Sequence, residues 1–188
     1  MHCFSGSLEV ARECIKLGFL ISIPGVITYK NANRLKEVVA KIPVERLLLE
    51  TDCPFLAPHP KRGKRNEPAY IRYIAEEVAR IKGLTLEDVA RVTSLNAREI
   101  FGLPGRELEP QIAYQIRQNL YLNITNLCTN SCIFCPKRTD YMVKGHYLKL
   151  KKEPSEEEIW EAMGNPEGYK EVVFVGFGEP TLRLDLVK

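Results

Sequence analysis

Short apolar runs alternate with amphipathic segments along most of this sequence, and this alternation limits the folds that it can adopt. Four runs have the length and composition of β-strands: "FLISI", "RLLLE", "LYLNIT" and "EVVFV". The segments between them carry apolar residues at helical spacing, as in "NANRLKEVVAKIP" and "EPAYIRYIAEEVARIKG". Strands that alternate with helices predict a parallel sheet built from βα units, so the predicted fold class is α/β.

Residues that start and stop helices support this division. Ser7 is a candidate N-cap of the first helix, and Gly83 stands just past the end of the third. Two further helices open with the spacing of a capping box, Thr85 with Asp88 and Ser155 with Glu158.

The alternation lapses over residues 104–118, where "LPGRELEP" combines prolines and a glycine with mixed charges. This composition is typical of a linker. We therefore predict two α/β domains, residues 1–103 and 119–188, which a chain of 188 residues can accommodate.

The composition, 45% apolar and 27% charged, is that of a soluble globular protein. The apolar runs of four or five residues are far short of the roughly 20 that span a bilayer, so no membrane association is expected. No signal peptide is evident, and we expect a cytoplasmic protein. The net charge of +3 is too small to predict nucleic-acid binding, and the basic run "HPKRGKRNEP" is typical of a solvated loop.

Three of the six cysteines, Cys128, Cys132 and Cys135, lie within eight residues of one another. In a reducing compartment such a cluster is more often metal-binding or catalytic than disulfide-bonded. Turn-forming residues between the thiols and Pro136 after them favour a compact loop around one metal centre. Structural zinc needs four ligands, and His146 is a distant candidate for the fourth. An iron–sulfur cluster held by three thiolates keeps one iron open. A third interpretation of the cluster is that the three thiols are buried on one face of a helix and bind no metal.

A glycine-rich turn, "GFGEPT", directly follows the predicted buried strand "EVVFV". Glycines at the carboxyl end of a parallel strand allow a ligand to approach the backbone, and Glu179 offers a carboxylate to a cationic group there. Such a turn is also common as a tight connection between a strand and a helix.

Together, CxxxCxxC after one strand and GxGEP after the next resemble the radical S-adenosylmethionine enzyme family over residues 119–188. The resemblance implies that the three cysteines hold a [4Fe-4S] cluster whose open iron binds S-adenosylmethionine. It places Phe134 beside the adenine, and Gly176, Gly178 and Glu179 around the methionine amino group. The implied reaction is the reductive cleavage of this small-molecule cofactor to a 5′-deoxyadenosyl radical. It also implies an electron donor such as flavodoxin or ferredoxin. "GFGE" in place of the commoner "GGE" is a modest departure.

At the other end of the chain, "HCFSG" places His2 before a helix and "LLLETD" places Asp52 directly after a strand. A His and an Asp at the carboxyl ends of barrel strands can share a metal ion, and the Asp can take a proton from water. Each residue alone is also consistent with a structural role, His2 as a hydrogen-bonded side chain and Asp52 as a helix cap.

The strings "HCFSG", "ISIPGVIT", "LLLETDCPFLAP", "RNEP" and "TSLNAREIFGL" resemble the C-terminal part of the TatD family of metal-dependent deoxyribonucleases. The resemblance covers residues 1–103 and implies a (β/α)8 barrel. It makes His2 a metal ligand and Asp52 a ligand and catalytic base, for a divalent metal such as Zn, Mg or Mn. The role of Glu50 in "ETD" is less defined by the family. Three residues would line the phosphate-binding mouth of the site and contact a DNA substrate: Arg65, Asn66 and Glu67.

The family's first-strand HxH pair, fourth-strand Glu and fifth-strand His have no counterpart in this segment. We therefore expect a partial TIM-type (β/α) barrel followed by the start of a second partial (β/α) barrel, in a chain that is an internal slice of a longer fusion. The nuclease site would be incomplete. A zinc-binding interaction module and a non-catalytic scaffold are the alternatives.

Overall fold

A computed structural model of the chain describes residues 1–104, 109–139 and 141–188. The chain divides into two compact units, Met1–Pro104 and Gly105–Lys188. Each unit is α/β, which agrees with the predicted class.

The first unit alternates helices with two short strands. Its elements are α1 Leu8–Lys16, β1 Ile21–Ile23, α2 Asn33–Lys41, β2 Leu47–Leu49, α3 Ile71–Lys82 and α4 Leu86–Phe101. The two strands are parallel, with Ile21 opposite Leu47. The connection between them through α2 is therefore a βαβ unit, as the alternation predicts.

The helix ends of the first unit agree with the sequence. The Ser7 side chain accepts from the Val10 amide at the start of α1. Gly83 adopts the left-handed conformation that ends α3. The capping box of Thr85 and Asp88 opens α4. These caps satisfy backbone groups that a helix end leaves unpaired.

The core of the first unit lies where the helices cover the two strands. Ile21, Ile23 and Leu47 of the strands are fully buried against Val38 of α2 and Val78 of α3. Burial of each such side chain contributes about 1.5–3 kcal/mol to folding. The last residues of the two strands, Ile23 and Leu49, lie in or pack against this core, and loops lead on from them.

The second unit is built on a three-stranded sheet. Its elements are β3 Ala113–Ile116, β4 Asn119–Asn123, β5 Met142–Val143, β6 His146–Tyr147, α5 Glu156–Met163, β7 Glu171–Val175 and α6 Leu184–Val187. The sheet order is β3-β4-β7. β3 is antiparallel to β4, and β4 is parallel to β7. The capping box of Ser155 and Glu158 opens α5 as predicted.

Two expectations for the second unit need correction. Strand β3 lies inside the segment 104–118 that we predicted as a linker, and it pairs with β4 through the register Tyr114–Tyr121. Residues 105–108 of that segment lie outside the described residues. β7 is not a buried strand, because Val172 and Phe174 are 39% and 37% exposed. It pairs with β4 at the edge of the described sheet.

No helix in the described part of the chain is both long and apolar enough to cross a membrane.

Candidate functional site

His2, Glu50 and Asp52 form a compact cluster in the first unit. His2 Nε2 lies 2.9 Å from Asp52 Oδ1 and 3.4 Å from Glu50 Oε2. Within residues 1–104, 109–139 and 141–188, this is the only group of three or more His, Cys, Asp or Glu side chains whose ligand atoms all lie within 4.8 Å of one another. A histidine nitrogen beside carboxylate oxygens is a donor set that divalent metals accept.

Backbone contacts with β1 bring the cluster together. The Ser22 amide donates to the Met1 carbonyl at 2.9 Å, and the Phe4 amide donates to the Ser22 carbonyl at 3.2 Å. His2 lies between these two attachments. The Glu50 amide donates to the Ile23 carbonyl at 3.1 Å, which places Glu50 at the carboxyl end of the strand pair.

Asp52 has one carboxylate oxygen beside His2 and one that is unengaged. Its Oδ2 is buried and has no hydrogen-bond partner among the described residues. A buried carboxylate oxygen without a partner is costly in free energy unless a cation or a water binds it. Asp52 also has a positive φ of 53°. Backbone strain of this kind costs of order 1–3 kcal/mol and is concentrated at functional sites in proteins.

The two oxygens of Glu50 are both engaged. Oε1 accepts from the Cys3 amide at 2.5 Å, and Oε2 accepts from the Ser22 hydroxyl at 2.6 Å. Burial raises the pKa of the Cys3 thiol, and the negative charge of Asp52 adds to the shift. Ser22 was not among the predicted site residues, although a hydroxyl between two apolar residues of a predicted strand was a usable signal.

Residues 65–67, predicted to bind phosphates, differ in accessibility. Arg65 and Glu67 are exposed. Asn66 is only 2% exposed, and its side-chain amide donates to the carbonyls of Thr51 and Phe55 at 2.5 and 2.6 Å. Asn66 therefore clamps the loop after β2 and leaves little surface for a substrate.

The basic loop that precedes Arg65 is fixed by contacts to two tyrosines. The Arg62 guanidinium lies 4.0 Å from the centre of the Tyr29 ring, and Lys61 Nζ lies 5.7 Å from that of Tyr70. Such cation–π contacts contribute about 0.5–1 kcal/mol at exposed sites. Two of the positive charges of this loop, Lys61 and Arg62, thus lie against aromatic rings.

In the second unit the three clustered cysteines lie on an irregular loop after β4. All six cysteines of the chain are free thiols, and Cys128 and Cys132 are exposed. Cys135 is half-buried, and its amide donates to the Cys132 carbonyl at 3.2 Å. The interpretation that the three thiols are buried on a helix is therefore wrong.

His146, the candidate fourth ligand of a structural zinc site in this loop, is engaged elsewhere. His146 is 5% exposed, and its two ring nitrogens contact Gln111 Oε1 and the Gln115 carbonyl oxygen. The three cysteine sulfurs are also not within 4.8 Å of one another. A single zinc ion with Zn–S bonds of about 2.3 Å needs sulfurs about 3.8 Å apart, so the described loop does not present a preformed zinc site.

The base of the cysteine loop is closed by the residues that follow Cys135. Lys137 Nζ donates to the Asn126 carbonyl, and the Arg138 guanidinium donates to the Ser131 carbonyl at 3.1 Å. Both bonds reach back across the loop and bring positive charge to it.

The glycine-rich turn packs against the start of the cysteine loop. A Cβ on Gly176 would lie 2.4 Å from the Thr125 carbonyl oxygen, and one on Gly178 would lie 2.0 Å from that of Leu127. The Gly178 amide donates to the Thr125 carbonyl at 2.9 Å. The absence of a Cβ at these glycines therefore admits the chain's own backbone, and the approach of a ligand to the turn stays a prediction.

The remaining predicted cofactor residues lie around this turn. The Glu179 carboxylate accepts from the amide and the hydroxyl of Thr181 at 3.2 and 3.0 Å, so it caps the 3₁₀ turn Pro180–Arg183. Phe134 is 84% exposed on the cysteine loop. Arg183 donates to the carbonyls of Ile124 and Pro154, which identifies it as a structural residue.

Two family models match the chain. The model described as TatD related DNase matches residues 1–102, and the model of the Radical SAM superfamily matches residues 122–188. The first match covers the whole His2–Asp52 cluster, and the second covers the cysteine loop and the glycine-rich turn.

Relatives of known sequence and structure match the first unit. The chain is 58% identical over 101 residues to the uncharacterized metal-dependent hydrolase YabD of Bacillus subtilis, a match that covers 54% of this chain and 40% of YabD. It is 42% identical over 109 residues to the uncharacterized metal-dependent hydrolase YcfH of Escherichia coli K12, covering 58% and 41%. The crystal structure of YJJV, a TatD homologue from Escherichia coli K12, matches with 32% identity and a TM-score of 0.52, covering 55% and 40%. The chain thus spans about two fifths of the length of these relatives.

Proposed function

The chain belongs, through residues 1–102, to the TatD related DNase family, and on that premise we propose that its first unit contributes to a divalent-metal site that hydrolyses DNA phosphodiesters. The observation that carries the proposal is the pair of His2 Nε2 and the unengaged Asp52 Oδ2. A buried carboxylate oxygen beside an exposed imidazole suits a metal ion, because both the oxygen and the imidazole nitrogen could coordinate the ion. Coordination would also give the buried oxygen the partner that it lacks.

Each side chain of the cluster has a distinct role in this proposal. His2 and Asp52 would hold the metal, which supplies a polarised phosphoryl oxygen and a more acidic water when bound. Asp52 would accept a proton from the attacking water, since a carboxylate within hydrogen-bond reach is a suitable general base. Arg65 and Glu67 are exposed on the loop that follows β2, and the positive charge of Arg65 would favour a phosphate backbone.

Metal binding tests this proposal directly. We expect Mn²⁺ to bind the chain in calorimetric titrations, and Asp52→Asn to weaken binding by more than about tenfold. Mn²⁺ is the suitable probe because thiolates prefer softer metals. Asp185→Asn, which alters an exposed carboxylate of the second unit, serves as the control. Equal Mn²⁺ affinity in the wild type and Asp52→Asn would reject the site.

We further propose that the second unit is the start of a radical S-adenosylmethionine domain. The observation that favours it is the hydrogen bonding between the cysteine loop and the glycine-rich turn, within the segment that the Radical SAM model matches. Three free thiols on one exposed loop suit a [4Fe-4S] cluster, which takes thiolate ligands.

Different residues of this segment would bind the cluster and S-adenosylmethionine. Cys128, Cys132 and Cys135 would hold the cluster, which supplies one electron to the sulfonium when bound. Glu179 would bind the ammonium group of S-adenosylmethionine, and Phe134 would cover the adenine. The parent protein in this proposal is a cytoplasmic fusion of two (β/α) barrels, and the second domain includes β3 of the segment that we predicted as a linker. It would receive electrons from a flavodoxin or a ferredoxin.

Anoxic reconstitution with iron and sulfide tests the cluster. We expect the wild type to bind about four irons with acid-labile sulfide, and its spectrum to change when S-adenosylmethionine is added. Cys132→Ser should lose most of the iron. Cys53→Ser is the matched control, because Cys53 is an exposed free thiol outside the loop. One zinc without sulfide would support the interaction module instead.

A further inference from the structure

We propose that Ser22 is a positioning residue of the metal site. Its hydroxyl orients Glu50, and Glu50 holds the backbone beside His2 instead of binding the metal itself. The inference rests on the proposed metal site for its functional meaning, although the contacts on which it depends exist without a metal.

Ser22 is a polar residue in a strand that is otherwise apolar. Its two neighbours, Ile21 and Ile23, are fully buried, and Ser22 is 6% exposed. A hydroxyl in such surroundings must be hydrogen-bonded, because burying it unpaired costs about 1–3 kcal/mol. Its Oγ donates to Glu50 Oε2 at 2.6 Å, across 28 residues of sequence.

The backbone of Ser22 is engaged by the same segment that carries His2. Its amide donates to the Met1 carbonyl, and its carbonyl accepts from the Phe4 amide. All three polar groups of Ser22 therefore hold either the N-terminal segment or Glu50. The position of the His2 backbone is thus set on both sides by one residue of β1.

Glu50 completes a ring of contacts around His2. Its Oε1 accepts from the Cys3 amide, which is the peptide group that directly follows His2. Cys3 has a positive φ of 46°, a conformation that costs a non-glycine residue free energy. The hydrogen bond of 2.5 Å to an ionised carboxylate offsets that cost, because charge-assisted bonds are about twice as strong as neutral ones.

The contrast between the two carboxylates assigns their roles. Both oxygens of Glu50 accept hydrogen bonds, and Glu50 Oε2 is 3.4 Å from His2 Nε2. Asp52 lies closer to the same nitrogen, at 2.9 Å, and keeps one buried oxygen unengaged. We assign the carboxylate that keeps an oxygen free of hydrogen bonds as the ligand, and the carboxylate with both oxygens hydrogen-bonded as the group that positions it. Outer-shell partners of this kind orient histidine ligands in metal sites.

The hydrogen-bond ring is tested first without metal, by amide hydrogen exchange and ¹H–¹⁵N NMR of the whole chain. We expect the Cys3 amide proton to be shifted downfield and protected from exchange. Ser22→Ala should reduce that protection by about tenfold or more, since the Glu50 carboxylate loses its second anchor. Ser22→Thr, which keeps the hydroxyl, should restore it. Thr93→Val removes another buried hydroxyl, in α4, and should leave the Cys3 amide unchanged.

Mn²⁺ affinity is the second readout. Ser22→Ala should weaken binding by about 10–100-fold, and Ser22→Thr should recover it. Glu50→Gln provides an independent variant: it should abolish the downfield shift of the Cys3 amide while the helical circular dichroism is retained. The inference is overturned if the Cys3 amide proton of Ser22→Ala keeps its protection from exchange. It is also overturned if that protection is lost while the Mn²⁺ affinity is unchanged. If the wild type binds no Mn²⁺, the metal site itself is rejected. The exchange of the Cys3 amide proton still decides whether Ser22 stabilises the hydrogen bond from Cys3 to Glu50.

Discussion

The backbone amide of Glu179 donates a hydrogen bond of 2.7 Å to the carbonyl oxygen of Leu127, which joins the turn after β7 to the loop of the three cysteines. Leu127 directly precedes Cys128. The predicted cofactor turn and the predicted cluster loop are therefore one hydrogen-bonded structure, although about 50 residues of sequence separate them.

Gly178→Ala should disrupt the contact between the glycine-rich turn and the cysteine loop. The added Cβ would lie 2.0 Å from the Leu127 carbonyl oxygen and 2.7 Å from its amide nitrogen, so the backbone of one segment must move. We expect a loss of at least about 2 kcal/mol in the free energy of unfolding of the second unit, and a lower iron content after reconstitution. Denaturant unfolding and iron analysis measure both effects. Gly168→Ala is the control, because a Cβ there meets nothing within 4 Å. Equal losses in both variants would contradict the close-approach explanation.

Asn66→Ala should destabilise the first unit. The substitution removes two hydrogen bonds to the carbonyls of Thr51 and Phe55, and it leaves those carbonyls to find new donors. We expect a loss of about 2–3 kcal/mol, measured by thermal or denaturant unfolding. Asn31→Ala, at an exposed asparagine, should change stability by less than about 0.5 kcal/mol. A stable Asn66→Ala protein with weakened DNA binding would instead support a direct contact with the substrate.

Stability of the second unit should fall at high pH because of Tyr114. Burial raises the pKa of the Tyr114 hydroxyl to about 12, and the neighbouring Tyr121 adds to the shift. Below pH about 10 the hydroxyl is protonated in both the folded and the unfolded chain, so the stabilisation is complete there. As pH rises from about 10 to 12 the unfolded chain ionises first, and the free energy of unfolding decreases.

The comparison of Tyr114→Phe with the wild type isolates this effect. The variant should lose less stability between pH about 10 and 12, in unfolding curves recorded at several pH values. The absorbance of tyrosinate near 295 nm provides a second measurement, in which one late-titrating tyrosine should be missing from the variant. Parallel stability curves for the two proteins would show that another group titrates.

This chain alone should not cleave DNA. His2 and Asp52 are the two ligands that the family resemblance predicts in residues 1–103, and we expect the metal to lack most of the family's coordination in this chain. Incubation of labelled single- and double-stranded DNA with the chain and Mn²⁺ should give no products above background. Cleavage that depends on Mn²⁺ and disappears in Asp52→Ala would refute this expectation.

Local signals in the sequence were enough to predict most helix ends. Ser7, Thr85 and Ser155 cap helices as expected, because a cap depends on residues only two or three positions away. Strand β3 was missed because its residues follow a proline-rich stretch and contain little apolar periodicity. Its pairing with β4 is a tertiary contact that local composition does not encode.

The candidate sites show the same limit. The sequence predicted that His2 and Asp52 share a site, from the place of His2 before a helix and of Asp52 directly after a predicted strand. The contact between Ser22 and Glu50 depends on a side chain that reaches across 28 positions, and no local rule predicts it. The glycines at 176 and 178 were recognised as special, but the atoms that they accommodate could be identified only in three dimensions.

The amino group of Met1 donates to the Leu20 carbonyl at 2.7 Å, which fixes the start of the chain one residue from the His2 imidazole. A polyhistidine purification tag placed there would bring foreign imidazoles next to the Asp52 carboxylate, where they would compete for any added cation. Lys188 is exposed and belongs to the other compact unit, so an affinity tag at that end of the chain would not extend the segment that carries His2.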